Sequence, residues 1–192
     1  MQLIVELTGH TPLLMHNIRL ADPDDPITVE IAGITSKKKK TPEDRADIAR
    51  LEWHGCLYAD DDGPYIPTAN VRRSFAKAGA IRRLTTAVNR GVIMRTMQTE
   101  LGYPGPRGIP DLWAREEYRH RAMVGIQGKR TPRTRPIFTE WSLAVEIELL
   151  TDALGLDDFT DIVSTAGRCE GLGDNRVNGY GRFATTVIEM AQ

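Results

Sequence analysis

The chain has 192 residues, 41% of them hydrophobic and 27% charged, the profile of one soluble globular domain able to bury a substantial core. No apolar run approaches the ~18 residues of a membrane span, and Met1–Leu7, with Glu6 and no basic stretch ahead of it, reads as a strand and not as a secretion signal. The formal net charge of −1 conceals an asymmetry: residues 70–135 hold 15 Lys or Arg against 4 Asp or Glu, net +11, and the remainder holds 10 against 22, net −12. Charge segregated in this way argues for a polyanionic partner such as nucleic acid, or else for pairing of the two blocks within the fold or an oligomer. Cys56 and Cys169 lie far apart and read as reduced thiols of a cytoplasmic protein.

In chain order, residues 2–8 form the first expected strand, ended by Gly9. An irregular stretch follows from Thr11, and the prolines and acids of 21–26 mark a loop. Residues 27–34 fit a short strand or a helix, and Lys37–Lys40 reads as an exposed loop or a mobile contact to phosphates. Thr41-Pro42-Glu43-Asp44 is a helix start, with a capping hydroxyl, proline in the first turn and acids beside the helix N-terminus; this helix is expected to reach Trp53. Asp60-Asp61-Asp62-Gly63 signals a tight turn between arms at 56–59 and 65–66. Thr68 opens a second helix, 69–84, with Val71, Phe75, Ala78 and Ile81 on one face and Arg72, Arg73, Lys77 and Arg83 on the other.

Residues 92–100 alternate as a strand, and a Pro/Gly loop leads to a short helix over 111–121. The segment 122–136 carries Lys129, Arg130, Arg133 and Arg135 and reads as an arm or hairpin suited to a phosphate backbone. Residues 141–149 alternate strictly, one face apolar and one polar, as in an antiparallel sheet. A helix over 156–166, with acids in its first turn and Gly167 at its end, precedes the most unusual stretch, 167–183, in which five of seventeen residues are Gly. Its spacing matches neither the Gly-x4-Gly-Lys phosphate loop nor the dinucleotide fingerprint. Gly171, Gly173, Gly179 and Gly181 with Arg176 and Arg182 suit a phosphate or a neighbouring chain, or else a turn that needs glycine to pass from helix to strand. A last strand is expected at 182–190.

Other chemistry is sparse. His54 and Cys56 have no second ligand pair at zinc spacing, and Asp60–Asp62 lacks the spacing of a calcium loop; no metal or cofactor is expected. His16 is a packed histidine or a general base, and Tyr180 and Trp113 either stack on bases or pack internally.

Without its insertions, 10–67 and 101–136, the order is βαββαβ, so residues 1–192 are expected to form a single α+β domain with a ferredoxin-like, RRM-like core, an antiparallel sheet and large inserted arms. Thr11-Pro12-Leu13-Leu14-Met15-His16-Asn17, Tyr65-Ile66-Pro67 before a helix, Thr134-Arg135-Pro136-Ile137-Phe138 and the ending Gly171-Leu172-Gly173-Asp174…Gly179-Tyr180-Gly181-Arg182-Phe183 resemble a widespread group of small bacteriophage proteins. More distantly, the order with its glycine-rich loop is similar to the RAMP superfamily, the subunits that line RNA in CRISPR effector complexes. That resemblance implies a loop touching the nucleic-acid backbone and arms reaching a neighbouring subunit. The expectation is a non-catalytic binder of single-stranded nucleic acid, assembling side by side along the strand. The phage resemblance implies single-stranded DNA in replication or recombination, within the host cytoplasm. Arg72, Arg73, Lys77, Arg130, Arg133, Arg135, Arg176 and Arg182 are expected at phosphates. Alternatives are an RNA-binding CRISPR-type backbone subunit, a metal-dependent nuclease, and a phage inhibitor or assembly protein that meets an acidic protein surface.

Overall fold

The computed structural model of the protein describes residues 1–126 and 128–190, the side chains of Ile126 and Lys129 excepted; Gln127, inside the expected basic arm, lies outside the described residues. In order the elements are β1 (Gln2–Gly9), β2 (Leu13–Leu14), a 3-10 turn (Ile18–Ala21), α1 (Pro26–Thr35), α2 (Pro42–Cys56), β3 (Ala59–Asp60), β4 (Gly63–Pro67), α3 (Thr68–Ile81) and α4 (Thr85–Gly91). They continue with β5 (Val92–Met94), β6 (Gln98–Glu100), α5 (Ile109–Ala114), β7 (Arg119–Ile126), β8 (Lys129–Phe138), β9 (Ser142–Leu149), α6 (Leu156–Thr165), a π turn (Ala166–Glu170) and β10 (Phe183–Glu189). The architecture is mixed α+β. No helix among the described residues is long and apolar enough to cross a membrane.

The central sheet runs β10-β1-β9-β5, antiparallel at every pairing. Strand period places Leu3, Val5 and Leu7 of β1 and Leu143, Val145, Ile147 and Leu149 of β9 on one buried face. There they share a core with Val71 and Phe75 of α3 and Phe159, Ile162 and Val163 of α6; the Phe75 and Phe159 rings meet edge to face at 6.1 Å. Two three-stranded sheets, β2-β8-β7 and β3-β4-β6, are built largely from the insertions. The Thr41 helix start is a full capping box: Asp44 N–H donates to the Thr41 hydroxyl at 3.1 Å and Thr41 N–H to the Asp44 carboxylate at 2.9 Å.

Several expectations change. The helix expected to reach Leu84 stops at Ile81, because Arg83 turns left-handed at φ 62° and a new helix, α4, follows. The strand expected over 92–100 is two strands in two sheets. Arg95 N–H donates to Glu146 O at 3.1 Å, and Thr68 then takes over the chain, its N–H donating to Met97 O at 3.0 Å and its hydroxyl to Thr96 O at 2.5 Å. The helix expected over 111–121 ends at Ala114, and Arg119 already begins β7. Residues 27–34 are helical, and Cys56 closes α2 instead of starting a hairpin arm. The basic segment is a hairpin, β7 against β8, with His120 opposite Arg135 and Gly125 opposite Arg130.

Candidate nucleic-acid interface

The glycine-rich stretch is folded tightly onto its own chain. Gly171, Gly173, Gly179 and Gly181 all have φ between 69° and 84°, a region closed to most side chains. A Cβ on Gly173 would collide with the Leu14 carbonyl, and one on Gly181 with the Leu172 carbonyl. Backbone bonds fix the same path: Leu172 N–H to Gly181 O at 2.9 Å, Asp174 N–H to Leu14 O at 2.8 Å and Gly181 N–H to Pro12 O at 2.9 Å. The buried Ser74 hydroxyl of α3 donates to Gly171 O at 2.9 Å. The reading of this loop as a set of peptide N–H groups open to phosphate is therefore corrected for Gly171, Leu172, Asp174, Gly179 and Gly181, whose N–H groups are satisfied internally. Gly171, Gly173 and Gly181 serve close passage, whereas Gly179 serves only its left-handed turn.

That passage nevertheless gathers cations. Lys77 of α3, Arg176 and Arg182 line one cleft of about 400 Å³ beside Gly173, Asp174 and Asn175. Arg182 donates through Nη2 to Arg176 O at 3.2 Å, and its Nη1 is buried with no partner among the described residues. A buried cationic donor in that state is costly unless an acceptor arrives. Arg73 lies exposed one helical turn before Lys77, and Arg168, exposed in the π turn beside Cys169 and Glu170, is a further cation at this end of the fold that the sequence pattern did not single out.

The remaining expected contacts divide. Arg72 is turned inward, its Nη2 donating to Asn89 O at 2.7 Å and its Nε to Val92 O at 3.2 Å, so it ties α4 and β5 to α3 and does not face phosphate. Arg133 pairs with Glu52, whose side chain is only 4% exposed, and Arg135 pairs with Asp174 at 2.9 Å; both leave the expected phosphate set as free cations. Arg130 is exposed on the hairpin. Trp113 packs on Trp53 at 5.4 Å, with the Arg119 guanidinium over its ring at 4.9 Å, the internal packing that was one of its two expected readings. Tyr180 is half-buried with its ring 5.9 Å from that of His120.

His16 and Cys56 meet at 3.4 Å. Burial pushes the Cys56 thiol up to about 12, so it stays protonated at neutral pH beside His16 Nδ1. Burial also lowers the His16 pKa, with Arg135 and Arg133 adding to the effect and Asp174 opposing it. The open face of the central sheet carries Glu6, Ala144, Glu146, Glu148 and Thr186, with no aromatic ring on β1, β5, β9 or β10 pointing there. An acidic sheet face without stacking platforms repels a polyanion. Lys77, Arg176 and Arg182 gather instead in the cleft at the glycine-rich loop, which Glu170 and Asp174 also line.

With this geometry established, 99% of the chain superposes on 61% of a chain from the cryo-EM structure of the type III-B Cmr-beta bound to cognate target RNA, at TM-score 0.52 and 14% identity. The chain is Cmr-like in fold. It spans about three-fifths of that Cmr chain's length. Cmr6 from Pyrococcus furiosus is also matched, over 97% of this chain and 98% of its own, at TM-score 0.38 and 12% identity. At 14% identity the likeness to the chain from the Cmr-beta structure concerns the fold alone. No protein-family model and no curated protein matches the sequence.

Proposed function

We propose that this protein is a non-catalytic RAMP-type subunit with a ferredoxin-like core that holds the phosphate backbone of single-stranded RNA within a side-by-side assembly. The observation that carries the proposal is the convergence of Lys77, Arg176 and Arg182 on one cleft, with Arg182 Nη1 buried and unpartnered among the described residues. The sheet order β10-β1-β9-β5 with α3 and α6 in the same core supports the ferredoxin-like reading. The Cmr chain of similar fold is in a structure bound to target RNA, which favours RNA over the single-stranded DNA read from the phage resemblance. A protonated Cys56 and a His16 engaged by it favour binding over nucleophilic or acid–base chemistry.

Fluorescence anisotropy of matched single-stranded RNA and DNA at low and moderate salt tests the proposal. Steeply salt-dependent binding with RNA preferred is expected. Lys77→Ala and Arg176→Ala should each flatten the log–log salt slope by roughly 0.7, whereas Arg72→Ala, which removes only internal bonds, should leave the slope unchanged. Absence of binding to either strand at low salt overturns the reading, and preference for DNA returns it to the phage role.

A further inference from the structure

A second cavity, of about 490 Å³, opens between hairpin β7–β8 and the helical insertion α1–α2. It adjoins the phosphate cleft: Asp174 lines the cleft, Arg135 lines the cavity, and the two side chains form an ion pair at 2.9 Å. A cavity of this size falls within the range of small-molecule sites. Leu20, Ile31 and Val124 supply apolar wall.

The polar groups decide what fits. Glu52 has both oxygens occupied, by Arg133 Nη1 and by the Thr134 N–H at 3.0 Å. Arg135 is neutralised by Asp174. The charges cancel locally, so the cavity offers nothing to a phosphate and suits a neutral ligand. What remains is biased toward donors. Thr28 lines the cavity, and its hydroxyl is buried with no partner among the described residues. Cys56 Sγ engages His16 Nδ1 at 3.4 Å, which leaves Nε2 as the ring nitrogen open to a ligand. The Arg133 side chain, 38% exposed, engages Glu52 through Nη1 and keeps further N–H groups. Apolar walls with several donors match a flat heterocycle that carries carbonyl oxygens.

We infer that this cavity receives one nucleobase of the strand whose phosphates lie in the neighbouring cleft, uracil or guanine in preference to adenine or cytosine. The inference rests on the RNA reading above for the strand, but not for the pocket itself. Two measurements separate them. In the first, uridine and adenosine are titrated into the protein and the His16 imidazole signals are followed by NMR. Uridine should shift them saturably, with adenosine roughly tenfold weaker, and Val124→Trp, which fills the cavity from a half-buried strand position, should abolish the shift. Thr28→Val, which removes only the unpartnered hydroxyl, should weaken uridine several-fold. In the second, oligouridylate is compared with the same backbone made abasic: wild type should bind oligouridylate about fivefold or more tightly, and Val124→Trp should lose that preference without weakening the abasic strand. No His16 shift with uridine, together with equal affinity for the abasic strand, overturns the pocket and leaves the RNA reading standing. A uridine-dependent shift in a protein that binds no strand keeps the pocket and removes the RNA reading.

Discussion

Gly181 and Gly179 both have positive φ, 69° and 84°, yet they face different surroundings. Beyond Gly181 stands the Leu172 carbonyl, and beyond Gly179 nothing within 4 Å. Gly181→Ala therefore adds a backbone collision to the left-handed strain, for a loss of about 3 kcal/mol or more, whereas Gly179→Ala carries the strain alone, about 1 kcal/mol; urea unfolding of the two variants gives the comparison. Arg133 is likewise judged by its partner. Arg133→Met strands the buried Glu52 carboxylate, and about 3 kcal/mol of stability should go with it. The two thiols differ as sharply: Cys169 is exposed, and burial holds the Cys56 thiol at about 12. One thiol per folded chain should react quickly with a disulfide reagent at mildly alkaline pH, with the second appearing only on unfolding. Two fast thiols would remove the basis for a buried, neutral Cys56.

At the scale of elements, what the sequence made legible is what local chemistry decides. Thr41 and Asp44 form the capping box that the Thr-Pro-Glu-Asp start announces, and Thr41→Ala should cost about 1 kcal/mol in chemical denaturation. The alternation over 141–149 became β9, with Leu143, Val145, Ile147 and Leu149 buried. Arg72 shows where pattern reading ends. Its place on the basic face of α3 was legible, but the carbonyls that turn it inward belong to Asn89 of α4, a helix with no strong start signal, and to Val92 of β5. The break at 95–97 was equally hidden, since it depends on bonds from Arg95 to Glu146 and from Thr68 to Thr96 and Met97. Lys77, Arg176 and Arg182 were each singled out from the sequence, but their meeting in one cleft is a property of the fold. So is the cavity at His16, whose walls come from five separate stretches of chain.

Over the whole molecule, the opposed charge blocks are partly paired within the fold, as one of the two readings open to the sequence expects. Arg82–Asp161, Arg95–Glu148, Arg133–Glu52 and Arg135–Asp174 join the basic block to the acidic remainder. Arg73, Lys77, Arg121 and Arg130 stay exposed with no ion pair among the described residues. Acid exposes a second global property. Burial lowers the pKa of His16, His54 and His120 below the ordinary 6.5, with nearby arginines adding to the shift. The unfolded chain then binds more protons than the native one below that pH, so stability is complete above 6.5 and declines as pH falls through it. The urea midpoint should be lower near pH ~5.5 than near pH ~7.5, well before carboxylates with an ordinary value of 3.8 take part. Equal midpoints would show that these imidazoles titrate as they do in water.

The central position of β1 has a consequence for synthesis. Its partners are residues 142–148 on one side and 183–189 on the other. A ribosome releases Leu3, Val5 and Leu7 well before their partners, and must translate more than a hundred further residues before either neighbour exists. Long-range pairing of this kind slows folding and leaves an apolar strand uncovered in the interval. In the nascent chain, β1 is thus the segment on which holding chaperones should act, and pulse proteolysis of stalled chains should find it protected only once β10 has cleared the exit tunnel.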